Sequence, residues 1–322
     1  MAARQIRVAI GAKYDRTRAL ESGDGPVTCV VQPSVHAAFQ ALTTDSPYDA
    51  AEISTAFYIA LRGQRELPFV ALPVFPSRGF RYGNLFVRGD SALTAVEELR
   101  GKRVGLPEYG MTMGVWLRGI FADVHGVPPR EIEWITARDP VLTDVPASVS
   151  EAGIPVTRLP SGTLWEALAE GRIDAAIGVA PRAGLADGSV RRLRTEYWKD
   201  DLEYFRRSGN FPVMHALVVR NSVVEDDPGV VETLFRAFCA AKQQALAELT
   251  DSLATLPVSL PLLTAHAEFS AREFGQDWWP YGLEANRTCI ETLIRYCREQ
   301  ALIDRELLPH ELFHPASHAL TG

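Results

Sequence analysis

Short apolar runs alternate along the chain with segments of helical periodicity. IRVAIG and VTCVVQPS read as strands, and AAFQALTTDSPYDAAEIS reads as a helix running into a short strand. A further helix is expected around Tyr58 to Gly63. A second block opens at Ser91, where SALTAVEELRGKRVGLPEYGMTMGVWLRGIF predicts a helix stopped at Gly101, the strand KRVGL, a loop and a helix from about Thr112. GTLWEALAEGRIDAAIGVAP repeats that order, with a stop at Gly171 and the strand IDAAIG. Such units favour parallel sheets covered by helices. ARDPVLTDVPASVSEAGIP interrupts the middle block as a loop, and VVETLFRAFCAAKQQALAEL, after Val230, has a clear 3.6-residue apolar period.

Two apolar runs ending in arginine, NLFVR (Asn84 to Arg88) and MHALVVR (Met214 to Arg220), are placed to connect two lobes. The expected division is residues 1–88 with 214–322 as a discontinuous lobe and 89–213 as the other. A ligand is then expected in the cleft between them.

At 322 residues, 47% hydrophobic and 23% charged, the chain has apolar mass for two lobes. A formal net charge of -7 with both signs interspersed argues against nucleic acid or an anionic membrane, which reward a concentrated positive face. Small molecules are the expected partners, with a homo-oligomer left open. The start carries only the short apolar run VAIGA before Lys13, and no stretch approaches the roughly 20 apolar residues that span a bilayer, so a cytoplasmic protein is expected. Cys29, Cys239, Cys289 and Cys297 lack metal-finger or CxxC spacing and read as free thiols.

The stretches YDRTRAL, FVALPVFPSRGFRYG, LRGKRVGLPEYGMTMGVWLRGI, RRSGNFPVMHALVVR and WWPYGLEANRTCIETLIRYCREQAL resemble, in order from end to end, the 4,5-dihydroxyphthalate decarboxylase family. The resemblance implies a cytosolic α/β protein with the two-lobed fold of type II periplasmic substrate-binding proteins, two crossovers and a central ligand cleft. It implies decarboxylation of a dihydroxylated aromatic diacid to protocatechuate and carbon dioxide. The chain departs from the family pattern at WITARDPVLTDVPASVSEAG, where relatives carry a Gly-rich, Arg-containing segment.

In 4,5-dihydroxyphthalate each carboxylate lies para to a hydroxyl. Protonating the ring carbon that bears the carboxylate gives a cation the phenolic oxygen stabilises, and carbon dioxide then leaves. The protein must supply anion recognition, a proton donor and a dry pocket, with no organic cofactor. A divalent metal is a further possibility, because catechol oxygens ligate one, yet no compact His and carboxylate cluster commits a site. HELFHPASH spaces His310, His314 and His318 at four-residue intervals, but Pro315 interrupts any helix there.

Arginine suits carboxylates through its planar fork. The candidates are Arg16, Arg78, Arg81 and Arg287. Against each stands a structural role: a local pair with Asp15 for Arg16, a solvated turn for Arg78 and Arg81, a helical salt bridge with Glu284 or Glu291 for Arg287. Thr112 is a helix N-cap or, with the loop PEYGMT, an anion contact. His215, at the expected crossover, is the leading proton donor, and Glu108 beside Tyr109 is the alternative acid. Tyr14 and Tyr109 are candidates for the catechol hydroxyls. Trp278 and Trp279 wall the pocket or pack the core. Three functions compete: the decarboxylase, another cytosolic enzyme on this scaffold acting on a different aromatic carboxylate, and a solute-binding protein without catalysis.

Overall fold

The computed structural model describes residues 4–137, 145–251 and 258–322. Among the described residues, eleven strands form two sheets: β1 Ile6–Ile10, β2 Val27–Val31, β3 Ala50–Ser54, β4 Phe69–Arg78, β5 Leu85–Arg88, β6 Arg103–Leu106, β7 Glu133–Thr136, β8 Val156–Arg158, β9 Ala175–Ile177, β10 Val190–Arg192 and β11 Val213–Arg220. The first sheet has the order β2-β1-β3-β11-β4 and the second β10-β5-β9-β6-β7-β8. In the first, β1 runs parallel to β2 and β3, while β11 is antiparallel to β3 and β4. In the second, β6 is parallel to β7 and β9, and β5 is antiparallel to β9 and β10. The first sheet thus joins residues from both ends of the chain around the second. The strand Leu85–Arg88, placed by the sequence division at the edge of the discontinuous lobe, lies inside the second sheet between β10 and β9.

Most expected elements are present. The strands IRVAIG, VTCVVQPS, KRVGL and IDAAIG supply β1, β2, β6 and β9, and the periodic segment after Val230 is the helix Val230–Thr250. Gly101 and Gly171 take left-handed φ values of 67° and 69°, which suits their role as stops. SALTAVEEL is a correction. It forms only the 3-10 turn Val96–Leu99, because the Glu98 carboxylate folds back to accept from the N–H groups of Thr94 (2.7 Å) and Ala95 (2.9 Å) and closes a single turn. Part of the segment that departs from the family pattern, residues 138–144, lies outside the described residues.

The helix Thr112–His125 departs from the usual one-sided burial. Val115, Trp116, Leu117, Arg118, Ile120 and Phe121 are all buried, as expected of a helix packed on every side. It follows β6 in the second sheet yet lies against the helix Arg287–Glu299 near the other end of the chain. Trp116 Nε1 donates to the Val213 carbonyl at 2.9 Å, and Arg118 Nε donates to Gln300 Oε1 at 2.6 Å. Gly119 is required by this approach: a Cβ there would meet the Tyr296 ring at 2.3 Å. Among the described residues no helix is long and apolar enough to cross a membrane.

Candidate functional site

The carboxyl ends of parallel strands face the crevice in folds of this kind. Here the end of β3 with the helix Thr55–Gln64 that follows it directly, and the loops after β6 and β9, close on a cavity of about 590 Å³ lined from both sheets. That volume suits a small organic ligand. Its walls are largely apolar, with Phe39, Phe57, Met111, Leu164 and Trp165, and its polar groups are few: His36, Ser54, Arg81, Thr112, Thr163 and His215. Val179, 77% exposed, sits among the lining residues and carries the apolar wall to the surface.

His215 is set by its ladder. It pairs with Ser54 on β3 and with Ser77 on β4, and the β11–β4 register shifts on both sides of it. Met214 and His215 both reach the cavity, which a regular strand would not allow. Glu52 lies two residues before Ser54, so it is the diagonal neighbour of His215 on one sheet face, and its Oε1 receives the His215 Nδ1 contact. Glu52 is fully buried and also accepts from the Gly11 N–H at 2.7 Å and the Tyr14 hydroxyl at 2.8 Å. Burial alone would push its carboxyl up. The charge and hydrogen bond of His215, with the Gly11 and Tyr14 bonds, outweigh that and hold it below the usual carboxylate range. The Tyr14 phenol is itself pushed well above its ordinary value, by burial first and then by the Glu52 charge, so it remains a donor. With Nδ1 committed to an ionised carboxylate, the His215 ring has Nε2 left for the cavity. Gly11 is needed here, since a Cβ would meet the Val35 Cα at 2.7 Å.

The two arginines of PVFPSRGFRYG part company. Arg81 lines the cavity, with Nε on Met214 Sδ at 3.0 Å and Nη1 on Asn84 Oδ1 at 3.3 Å. Burial lowers it to about 10, which leaves it a cation at neutral pH. Arg78 is turned away. Its guanidinium donates to the carbonyls of Phe211 (3.0 Å) and Pro280 (2.9 Å) and to Asn286, stitching β4 to the segment before the helix Arg287–Glu299. Phe75 is core, and Phe80 stacks on Phe211 at 4.8 Å, so neither lines the cavity.

Most of the other candidates fall outside the lining. Arg16 donates to the Pro76 carbonyl at 2.6 Å and to Asp15, and lies over Trp279 at 4.0 Å. Trp279 in turn donates to the Phe75 carbonyl at 2.9 Å. Arg287 is half exposed and paired with Glu284 at 3.0 Å, the helical salt bridge of its structural reading. Tyr109 is buried under Arg118, with its hydroxyl on the Gln300 carbonyl at 3.2 Å. Thr112 lines the cavity but does not cap its own helix, where Met111 holds the N-cap position. Instead its Oγ1 accepts from the Ala56 N–H at 3.0 Å and pairs with Ser54 Oγ at 2.8 Å, capping the helix Thr55–Gln64 from the opposite lobe. Glu108 is buried, and its Oε1 stands 3.8 Å from Nε2 of His36, a cavity residue on the helix Val35–Gln40. Phe39 is T-shaped to both imidazoles, 5.9 Å from the His36 ring and 4.9 Å from His215.

The sequence reading missed Glu52, His36 and Ser54. For Glu52 there was a signal: a lone carboxylate in the strand AAEIS, whose residues are all buried. No group of three His, Cys, Asp or Glu among the described residues is placed to hold a metal ion. The C-terminal histidines serve the backbone: His318 Nε2 contacts the carbonyls of His310 and Phe313, and His314 accepts from the Ala316 N–H.

No family model matches the chain. It is 34% identical over 325 residues to the 4,5-dihydroxyphthalate decarboxylase of Comamonas testosteroni, covering 97% of each chain. It is 33% identical over 190 residues to the 4,5-dihydroxyphthalate decarboxylase of Pseudomonas putida, covering 55% of this chain and 70% of the other. Among solved structures it is similar to a Candida albicans gene product, CA3427, described as exhibiting the generic periplasmic binding protein structural fold. That match has a TM-score of 0.55 at 11% identity, covering 99% of this chain and 98% of the other.

Proposed function

The chain belongs to the 4,5-dihydroxyphthalate decarboxylase family, and from that premise we propose that it is a carboxy-lyase converting 4,5-dihydroxyphthalate to protocatechuate and carbon dioxide in the cavity between its sheets. The observation that carries this reading is His215, paired with the buried Glu52, in one largely apolar cavity with Arg81. Arg81 receives a carboxylate. Its guanidinium is preorganised by Met214 and Asn84 in a largely apolar cavity, where a charged hydrogen bond is worth more than in bulk. Met214, which holds Arg81, and His215 are consecutive and both line the cavity, and in this reading the imidazole faces the ring carbon bearing the carboxylate.

Protonated His215 gives its Nε2 proton to that carbon. The dearomatised ring expels carbon dioxide as the carbon–carbon bond breaks and its electrons restore the aromatic system. Glu52 keeps the ring oriented through Nδ1 and offsets the imidazolium charge. Ser54, Thr112 and the start of the helix Thr112–His125 line the remaining polar edge, where the second carboxylate fits. Phe39, Phe57 and Trp165 keep the reacting carbon dry.

The test is direct. EDTA-treated protein is incubated with 4,5-dihydroxyphthalate, alone and with divalent cations, while released carbon dioxide and protocatechuate are measured. Stoichiometric formation of both is expected; tight binding of the diacid without turnover in any arm would instead identify a solute-binding protein.

A further inference from the structure

Loss of carbon dioxide from a hydroxybenzoate moves charge to two ends of the ring. As the carbon bearing the carboxylate takes a proton, positive charge collects on the para hydroxyl, which becomes acidic and is best relieved of its proton at that moment. An active site that serves only the carbon end leaves this charge to water, and the walls of this cavity are largely apolar.

A second imidazole lines the same cavity. His36 lies on the helix Val35–Gln40 of the first lobe, and its Nε2 is 3.8 Å from Oε1 of Glu108, a buried carboxyl on the loop that follows β6 in the second. Phe39 makes a T-shaped ring contact with each imidazole, 5.9 Å from His36 and 4.9 Å from His215, so both histidines flank one aromatic side chain of the cavity wall. The anion end of the cavity is fixed by Arg81, which lies on Met214, next in the chain to His215. A ring with its carboxylate on Arg81 and that carbon under His215 carries its para hydroxyl at the opposite end of the ring, and His36 is the other imidazole that lines the cavity.

Resting on the decarboxylase reading, we propose that His36 is a second catalytic residue, taking the proton of the ring hydroxyl para to the departing carboxylate. The step balances without a further reactant. His215 delivers one proton to the ring carbon, and His36 accepts one from the hydroxyl, leaving a neutral dienone that still carries the carboxylate. The carbon–carbon bond breaks, carbon dioxide leaves, and its bonding pair rearomatises the ring to a phenolate, which recovers its proton from His36. The net proton consumed is the one from His215, replaced from solvent. Glu108 acts through His36 as a positioning residue, and because it belongs to the other lobe, the pair is complete only when both lobes bound the cavity.

His36→Ala tests this with 4,5-dihydroxyphthalate as substrate, phthalate as an unreactive diacid, and free imidazole. The expected loss in kcat is about 10² to 10⁴, typical of a proton-transferring side chain, with the Kd for phthalate within about threefold of wild type. Added imidazole should restore part of kcat saturably, which a residue with only a structural role would not allow. His36→Asn, closer in shape, should show the same loss if the alanine variant does not fold. The proposal is overturned by a kcat within about tenfold of wild type, by loss of phthalate binding in step with activity, or by failure of imidazole to restore turnover. Wild-type protein that binds phthalate but releases no carbon dioxide from the substrate overturns the decarboxylase reading itself, a separate result.

Discussion

Two arginines three residues apart in PVFPSRGFRYG look alike in sequence and do different work. Arg81 faces the cavity, whereas Arg78 spends its guanidinium on three acceptors of the protein itself. Arg81→Met should therefore weaken phthalate binding by about 10- to 100-fold, the worth of a charged hydrogen bond, with little change in melting temperature. Arg78→Met should do the reverse, and calorimetry beside phthalate titration separates them; equal effects in both would refute the division. Glu52 supplies a second contrast. Glu52→Gln should lower kcat by about tenfold or more while phthalate still binds, because the change reaches the substrate only through His215.

Asp201 supplies a third. It is buried, accepts from the Tyr82 N–H at 3.1 Å, and burial raises its carboxyl to about 7. Its folded value thus lies above the unfolded value of about 3.9, so the folded state binds the proton more tightly, and stability falls as pH rises from about 4 to about 7. Asp201→Asn keeps the acceptor and removes the charge. The melting temperature of the variant relative to wild type should climb between pH 5 and pH 8; a constant difference would show that Asp201 does not titrate there. None of these distinctions was legible beforehand, since residue type gives the chemistry but not the direction a side chain faces. His215 and Arg81 were readable as types in context; Glu52 acquires its role only from the diagonal of a ladder between strands that are far apart in sequence.

Elements with a strong local pattern were legible. The helix Val230–Thr250 follows from its period, and β6 and β9 follow from apolar runs bounded by glycines. The failures are local ones that longer-range partners decide. SALTAVEEL has helical propensity, yet Glu98 closes it into one turn, and Thr112 looked like an N-cap but caps the neighbouring helix across the lobe boundary. The helix Thr112–His125 is the element on which site and fold most depend, because its first turn lines the cavity while Trp116, Arg118 and Gly119 fasten it to the rest. Gly119→Ala should destabilise the protein by about 1–3 kcal/mol, since the added methyl group drives into the Tyr296 ring and neither helix can yield freely. Thermal unfolding measures it; a melting temperature equal to wild type would mean that the helices part without cost.

At the scale of the molecule, the two-lobed α/β plan was readable from alternating strand and helix signals, whereas the apolar runs ending in arginine prove to be strands within the two sheets, and the strength of the junction was not readable. The helix Arg287–Glu299 and the residues just after it clamp the second lobe to the first. Tyr296 donates to Asp123 Oδ2 at 2.7 Å, Gln300 Nε2 donates to the Val115 carbonyl at 2.9 Å, and the Tyr109 hydroxyl reaches the Gln300 carbonyl. Ser148 Oγ adds a bond to the Ala301 carbonyl at 2.8 Å. A lobe opening freely would have to break these bonds, each worth about 0.5–1.5 kcal/mol net and more when a partner is left unpaired. The lobes should therefore unfold together. Calorimetry should give one transition with matching calorimetric and van't Hoff enthalpies, and phthalate at about 100 times its Kd should shift it as a unit by about 2.7 kcal/mol of added stability. Two resolved transitions, with only one responding to phthalate, would mean that the clamp is weaker than its hydrogen bonds and that the cavity belongs to one lobe.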